Sequence, residues 1–187
     1  MLDKKDFEDI RKELDKFEET REIVISKSRE AIRLSKLSIY SSQRNDLKEA
    51  EEALKQIKVL LKEIPKESYD TDIESVAIQE YVEAACFYEF VKNKKIPSRK
   101  NLGVDAEHYL LGLCDLTGEL VRQAINDVIN KRTERAMEIR ELVTEIYGEF
   151  LKLNLRNGEL RKKADSIKWN LKKLEEVALD IASGRHK

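Results

Sequence analysis

A chain of 187 residues, 41 % hydrophobic and 39 % charged with only six Gly and two Pro, can bury a core and is poor in helix breakers. Its net charge of −1 excludes a uniformly basic polyanion binder, so any nucleic-acid contact must be a local patch. The N-terminal MLDKKDFEDI is charged and no apolar run approaches the roughly 18 residues of a membrane span, so a cytoplasmic protein with no membrane partner is expected.

Phe7, Ile10, Leu14, Phe17, Val24, Ala31 and Leu34 recur at three-to-four spacing and predict one long helix over about residues 3–41. Asp46 can cap a second helix carrying Leu47, Ala50, Leu54, Ile57, Leu60 and Leu61, which Ile64-Pro65 ends. A third helix is predicted from about Tyr69 to Lys92. The stretch NKKIPSRKNLG reads as a loop with one short helical turn after Pro97. A fourth helix runs from about Asp105 to Ile129, broken by INDVINKRT. A fifth runs from Thr133 to Leu153, and after the turn NLRNG a last one runs from Gly158 to Ser183, capped by Gly184. No hairpin signal and no internal repeat is present. The expected class is all-α, an antiparallel bundle of about six or seven helices in a single domain over 1–187.

Cys86 and Cys114 lie among apolar residues and read as buried small hydrophobes. With only His108 and His186 to complete a ligand set, structural zinc is not expected. The acids are more informative. On the third helix Val76, Glu80, Glu83, Phe87 and Phe90 share a face, so two glutamates interrupt an apolar stripe. On the fourth, Asp115 interrupts YLLGLCDLTGELV, where an aspartate is a poor mid-helix residue, and Glu119 lies one turn further along the same face. A short connection favours antiparallel packing of these two helices, and Glu80, Glu83, Asp115 and Glu119 would then converge. Carboxylates at close range stay ionised only with a cation, and an all-oxygen set suits Mg²⁺, with Mn²⁺ as the alternative, rather than Zn²⁺. Such a site suits phosphoryl chemistry. The plain alternative is that these acids lie at the stripe's edge and reach water, since the chain has 37 acidic residues.

The stretches QEYVEAACFYEFV, DAEHYLLGLCDLTGELVRQAIN and FLKLNLRNGELRKKADSIKWNLKKLEEVALDI resemble the translin family, as does the N-terminal FEDIRKELDKFEETREIVISKSREAI. That family comprises translin, an oligomeric single-stranded nucleic-acid binder, and translin-associated factor X, its catalytic partner in an Mg²⁺-dependent endoribonuclease. The resemblance implies a translin-like α-superhelix. It also assigns this chain to the catalytic kind, because QEYVEA supplies Glu80 and Glu83 and DLTGEL supplies Asp115, where translin has non-acidic residues. It thus implies Glu80, Glu83 and Asp115 as catalytic metal ligands. Glu119 is shared with the non-catalytic subunit, so for it the resemblance leaves a structural role beside that of ligand. The long insert of eukaryotic relatives between the two acid helices is missing, and the basic, histidine-containing segment of translin corresponds to the acidic YDTDIESVA. The resemblance therefore implies a compact prokaryotic or archaeal type that works without a translin partner, as a homo-oligomeric, octamer-like shell around small single- or double-stranded RNA, with single-stranded DNA a further ligand.

For RNA contacts, Arg29, Arg33 and Lys36 form one basic stripe that Lys27 and Arg44 extend, and Arg122 lies a turn beyond Glu119. The bland alternatives are a solvated, ion-paired face for the stripe and a pairing of Arg122 with Glu119. LRKKADSIKWNLKK is a further basic segment, in which Trp169 is expected in a core or interface, with base stacking as the other reading. Two other functions stay open: a non-catalytic oligomeric RNA or single-stranded DNA binder, and a different all-α metal enzyme such as a nucleoside triphosphate pyrophosphatase.

Overall fold

Apolar residues at helical spacing produce seven α-helices among the residues that the computed structural model describes, 2–65 and 70–184, and an aspartate side chain caps three of them. Asp3 caps α1 (Lys4–Gln43) by accepting from the amides of Lys5 and Asp6. Asp46 caps α2 (Leu47–Glu63), accepting the Glu49 amide at 3.1 Å, and Ile64 turns extended ahead of Pro65 to stop it. α3 (Ile73–Asn93) ends on Lys94 in the left-handed region; the expected start near Tyr69 falls outside the described residues. The turn anticipated after Pro97 is α4 (Arg99–Leu102). Asp105 caps α5 (Ala106–Ile129), and the expected break before Thr133 is a tight turn with Lys131 at φ 60° and the Arg132 amide on the Asp127 carbonyl at 2.7 Å. α6 (Thr133–Leu151) and α7 (Glu159–Ala182) complete the chain, and Gly184 at φ 68° supplies the left-handed residue after α7. None of these helices is long and apolar enough to cross a membrane.

The helices form two up-down-up sets. In the first, α1 and α2 are antiparallel, with Lys27 on Glu63 at one end and the Ser38 hydroxyl on the Ala50 carbonyl at the other. α2 and α3 are antiparallel as well, with Glu51 accepting from the Tyr88 hydroxyl. In the second set α6 returns along α5, and α7 returns along α6. The two acid-bearing helices, however, run in the same direction, which corrects the antiparallel expectation. Ser75 meets His108 at 2.9 Å, Gly112 lies on Gln79 and Val82, and Glu83 and Glu119 border one cavity, so positions along α3 and α5 advance together. The reason is the connection: residues 95–102 fold back along α3 beside Tyr88, Ala85 and Tyr81, and the Tyr109 hydroxyl donates to the Pro97 carbonyl at 2.9 Å. That return carries the start of α5 to the start of α3. The acids converge all the same, because parallel helices also bring facing turns into register.

The core runs through both sets, with Phe87, Leu116, Leu120, Ile139 and Ile167 fully enclosed, and both cysteines are buried as expected. One expected core stripe divides. Val24, Ala31 and Leu34 are buried, whereas Phe7, Ile10, Leu14 and Phe17 are exposed, as is every residue from 2 to 19. The first half of α1 projects past the other helices, and Phe7, Ile10 and Leu14 on its apolar face stay exposed among the described residues.

Candidate functional site

Three helices build the site. α3 contributes Glu80 and Glu83 from adjacent turns, α5 contributes Glu119, and α1 contributes Lys36, Ile39, Tyr40 and Gln43. Together with Arg122 they line a cavity of about 430 Å³. Gly112 makes this possible: a Cβ there would stand 2.6 Å from the Val82 Cβ and 2.9 Å from the Gln79 carbonyl, so only glycine lets α5 approach α3 this closely. Of the predicted acids, Glu80, Glu83 and Glu119 reach the cavity. Asp115 lies beside it and is not part of its lining, because its Oδ2 accepts a 2.6 Å hydrogen bond from the Lys163 ammonium on α7. The same ammonium donates to Gln79 Oε1 at 3.2 Å. Asp115 is therefore a half-exposed, paired carboxylate, not the enclosed one its apolar neighbours suggest.

The enclosed carboxyl is Glu83, 9 % exposed, with no cation in ion-pair range among the described residues. Burial, reinforced by the charges of Asp115, Glu80 and Glu119, pushes it up to about 8 against the weaker opposing pull of Lys163. Burial also raises Glu80, with Lys36 pulling down and Asp115 and Glu119 pushing up. Lys36 Nζ stands 3.9 Å from Glu80 Oε1. Glu119 is held on both sides, by the Gln43 amide at 2.8 Å and by Arg122 at 3.6 Å. Among the described residues no three acid, Cys or His side chains close into a ligating arrangement. The donor set nevertheless fits a hard cation. All its members are carboxylate oxygens, the kind of donor a hard cation takes, and the innermost is raised first by burial and then by the charges of its neighbours.

Asp127 gives the contrast. It is fully buried and was not singled out in the sequence, yet Arg132 at 2.9 Å and Arg135 at 3.4 Å balance it. It pins the turn between α5 and α6 and is structural. Glu83 has no such arginines.

The basic residues are placed as follows. Arg33 is exposed and pairs bidentately with Glu30, as the bland reading has it. Arg29 is exposed on the same stripe, and Lys36 carries that stripe to the mouth of the acid cavity. Lys27 is engaged by Glu63 at 2.5 Å, and the Arg44 guanidinium lies 5.4 Å from the Tyr40 ring. Arg122 pairs with Glu119 but keeps 68 % of its side chain exposed. Trp169 is 64 % exposed, which removes the core reading for it. Tyr40 and Gln43 escaped notice in the sequence, although they follow Lys36 at +4 and +7, the spacing that selected the stripe. Lys163 carried no comparable signal: nothing in LRKKADS separates it from Lys162.

A sequence model described as Translin family matches residues 5–182. The translin of Gallus gallus is 39 % identical over 79 residues, 42 % of this chain and 34 % of that protein, so the match spans about a third of the curated translin's length. The translin-associated protein X of Mus musculus is 26 % identical over 83 % of this chain and 67 % of its own length. Among solved structures, apo-NeC3PO is 31 % identical with a TM-score of 0.83, over 94 % of this chain and 96 % of that one. The AfC3PO–duplex RNA complex is 28 % identical with a TM-score of 0.78, over 94 % and 97 % of the two chains.

Proposed function

The chain belongs to the translin family, and on that premise we propose that it binds small RNA and cleaves its phosphodiester bonds at a carboxylate-held Mg²⁺ or Mn²⁺ site. The observation that carries this reading is Glu83, buried beside Glu80, Asp115 and Glu119 with no ion-pair partner among the described residues. The similarity to AfC3PO, whose structure is that of a duplex RNA complex, supports the choice of ligand. In this reading Glu80, Glu83 and Asp115 hold the metal, which supplies charge stabilisation on the phosphoryl oxygens when bound. Gln43 orients Glu119 at the edge of the set. Arg122 and Lys36 hold phosphates flanking the scissile bond, and Arg29 and Arg33 continue the track along α1. Tyr40, 53 % exposed at the cavity mouth, offers its ring to an unpaired base.

The test is cleavage of end-labelled single- and double-stranded RNA with Mg²⁺, Mn²⁺ or EDTA. Wild type should cleave only with metal, and Glu80→Ala, Glu83→Ala and Asp115→Ala should each lose at least about 100-fold in rate while remaining helical. Undiminished cleavage by all three variants would refute the site. A second reading, an oligomeric RNA or single-stranded DNA binder without catalysis, draws support from the Lys163–Asp115 bond, which already satisfies one would-be ligand. Metal-independent binding with no cleavage in either metal would favour it.

A further inference from the structure

Each outer acid of the site has a basic neighbour from a different place in the fold: Glu80 has Lys36 from α1, Glu119 has Arg122 from its own helix, and Asp115 has Lys163 from α7. The three contacts are unequal. Lys36 and Arg122 stand off at 3.9 and 3.6 Å with side chains 67 % and 68 % exposed. Lys163 is only 29 % exposed and grips Asp115 at 2.6 Å, with Gln79 Oε1 as a second anchor at 3.2 Å. Gln79 immediately precedes Glu80 on α3, so Lys163 bridges α7 to both acid helices. Asp115 is also the one acid of the four that does not face the cavity.

From this geometry we propose that Lys163 is a positioning residue, the counter-cation of Asp115, which holds Asp115 beside the ligand cluster and competes with a divalent ion for it. The inference rests on the reading that the acids bind a metal. An ammonium and a dication that share Asp115 repel each other, so in this proposal metal binding would lengthen or break the Lys163–Asp115 bond. Asp115 would then turn to the cavity, and Lys163, tied to Gln79, would remain beside the site as a cation for a phosphate oxygen. A small outlay of structure thereby keeps four acids together without metal and sets a threshold for metal uptake.

The test is Mn²⁺ binding by the full-length protein without RNA, with free Mn²⁺ followed by electron paramagnetic resonance, for wild type, Lys163→Met, Lys163→Arg, Asp115→Asn and the Lys163→Met/Asp115→Asn double variant. Lys163→Met should bind Mn²⁺ on the order of tenfold more tightly than wild type, and Lys163→Arg should stay near wild type. The gain should vanish in the Asp115→Asn background, because it acts through that carboxylate. Circular dichroism identifies any variant that fails to fold, and Lys163→Arg against Asp115→Asn then carries the comparison. Equal or weaker binding by Lys163→Met overturns the proposal, and so does a gain that persists without Asp115. Absence of Mn²⁺ binding by wild type would instead refute the metal site itself, a separate outcome.

Discussion

At the scale of single residues, burial decides what a carboxyl does. Glu83 and Asp127 are both enclosed, but only Asp127 has arginines against it. Burial pushes the Glu83 carboxyl up to about 8 from its ordinary 4.5, so between those values the folded chain binds more protons than the unfolded one. Stability must then fall as pH rises through that window. Glu83→Gln, which mimics the protonated acid, should therefore match wild type at about pH 5 and exceed it by about 2 kcal/mol at about pH 9. Urea unfolding in EDTA at the two pH values measures this, and equal stability at the higher pH would contradict it. That Glu83, and not Asp115, is the strained acid was not legible in the sequence. Both interrupt apolar stripes, and only the arrival of Lys163 from α7 distinguishes them.

At the scale of the helix, Gly112 and Gly118 lie six residues apart on α5 and meet opposite surroundings. A methyl group at Gly112 collides with Val82 and with the backbone of α3, whereas at Gly118 the nearest neighbour is the Asn170 amide at 3.9 Å. Gly112→Ala should destabilise the chain by about 2–3 kcal/mol and weaken Mn²⁺ binding, since it wedges apart the two helices that carry the acids. Gly118→Ala should be neutral or stabilise by up to about 1 kcal/mol through helix propensity alone. Thermal unfolding of both variants checks the pair. Helix boundaries were legible because they depend on local chemistry: Asp46, Asp105 and Pro65 act on their immediate neighbours. The direction of α5 against α3 was not, because the segment holding Pro97 and Leu102 could have made a tight reversal and instead packs back along Tyr88 and Tyr81.

At the scale of the whole molecule, the first half of α1 leaves Phe7, Ile10 and Leu14 exposed among the described residues. An apolar stripe of that length on a projecting helix marks a contact surface. A homo-oligomer should therefore form, with a mass in solution that is a multiple of 21.8 kDa. Phe7→Asp with Leu14→Asp should lower that mass while leaving helicity intact, measured by light scattering and circular dichroism. An unchanged mass would place the oligomer contact elsewhere.

The all-α class, the caps and breaks, the buried cysteines and the resemblance carried by QEYVEA and DLTGEL follow from the order of residues alone, because helical periodicity and capping are local properties. The tertiary structure alone decided that α3 and α5 run the same way, that Glu83 is the enclosed acid, and that Asp115 is held by Lys163 from 48 positions away. Those outcomes depend on which helix faces arrive at the same place, and residue spacing within one helix carries no information about the side chain that a distant helix will bring.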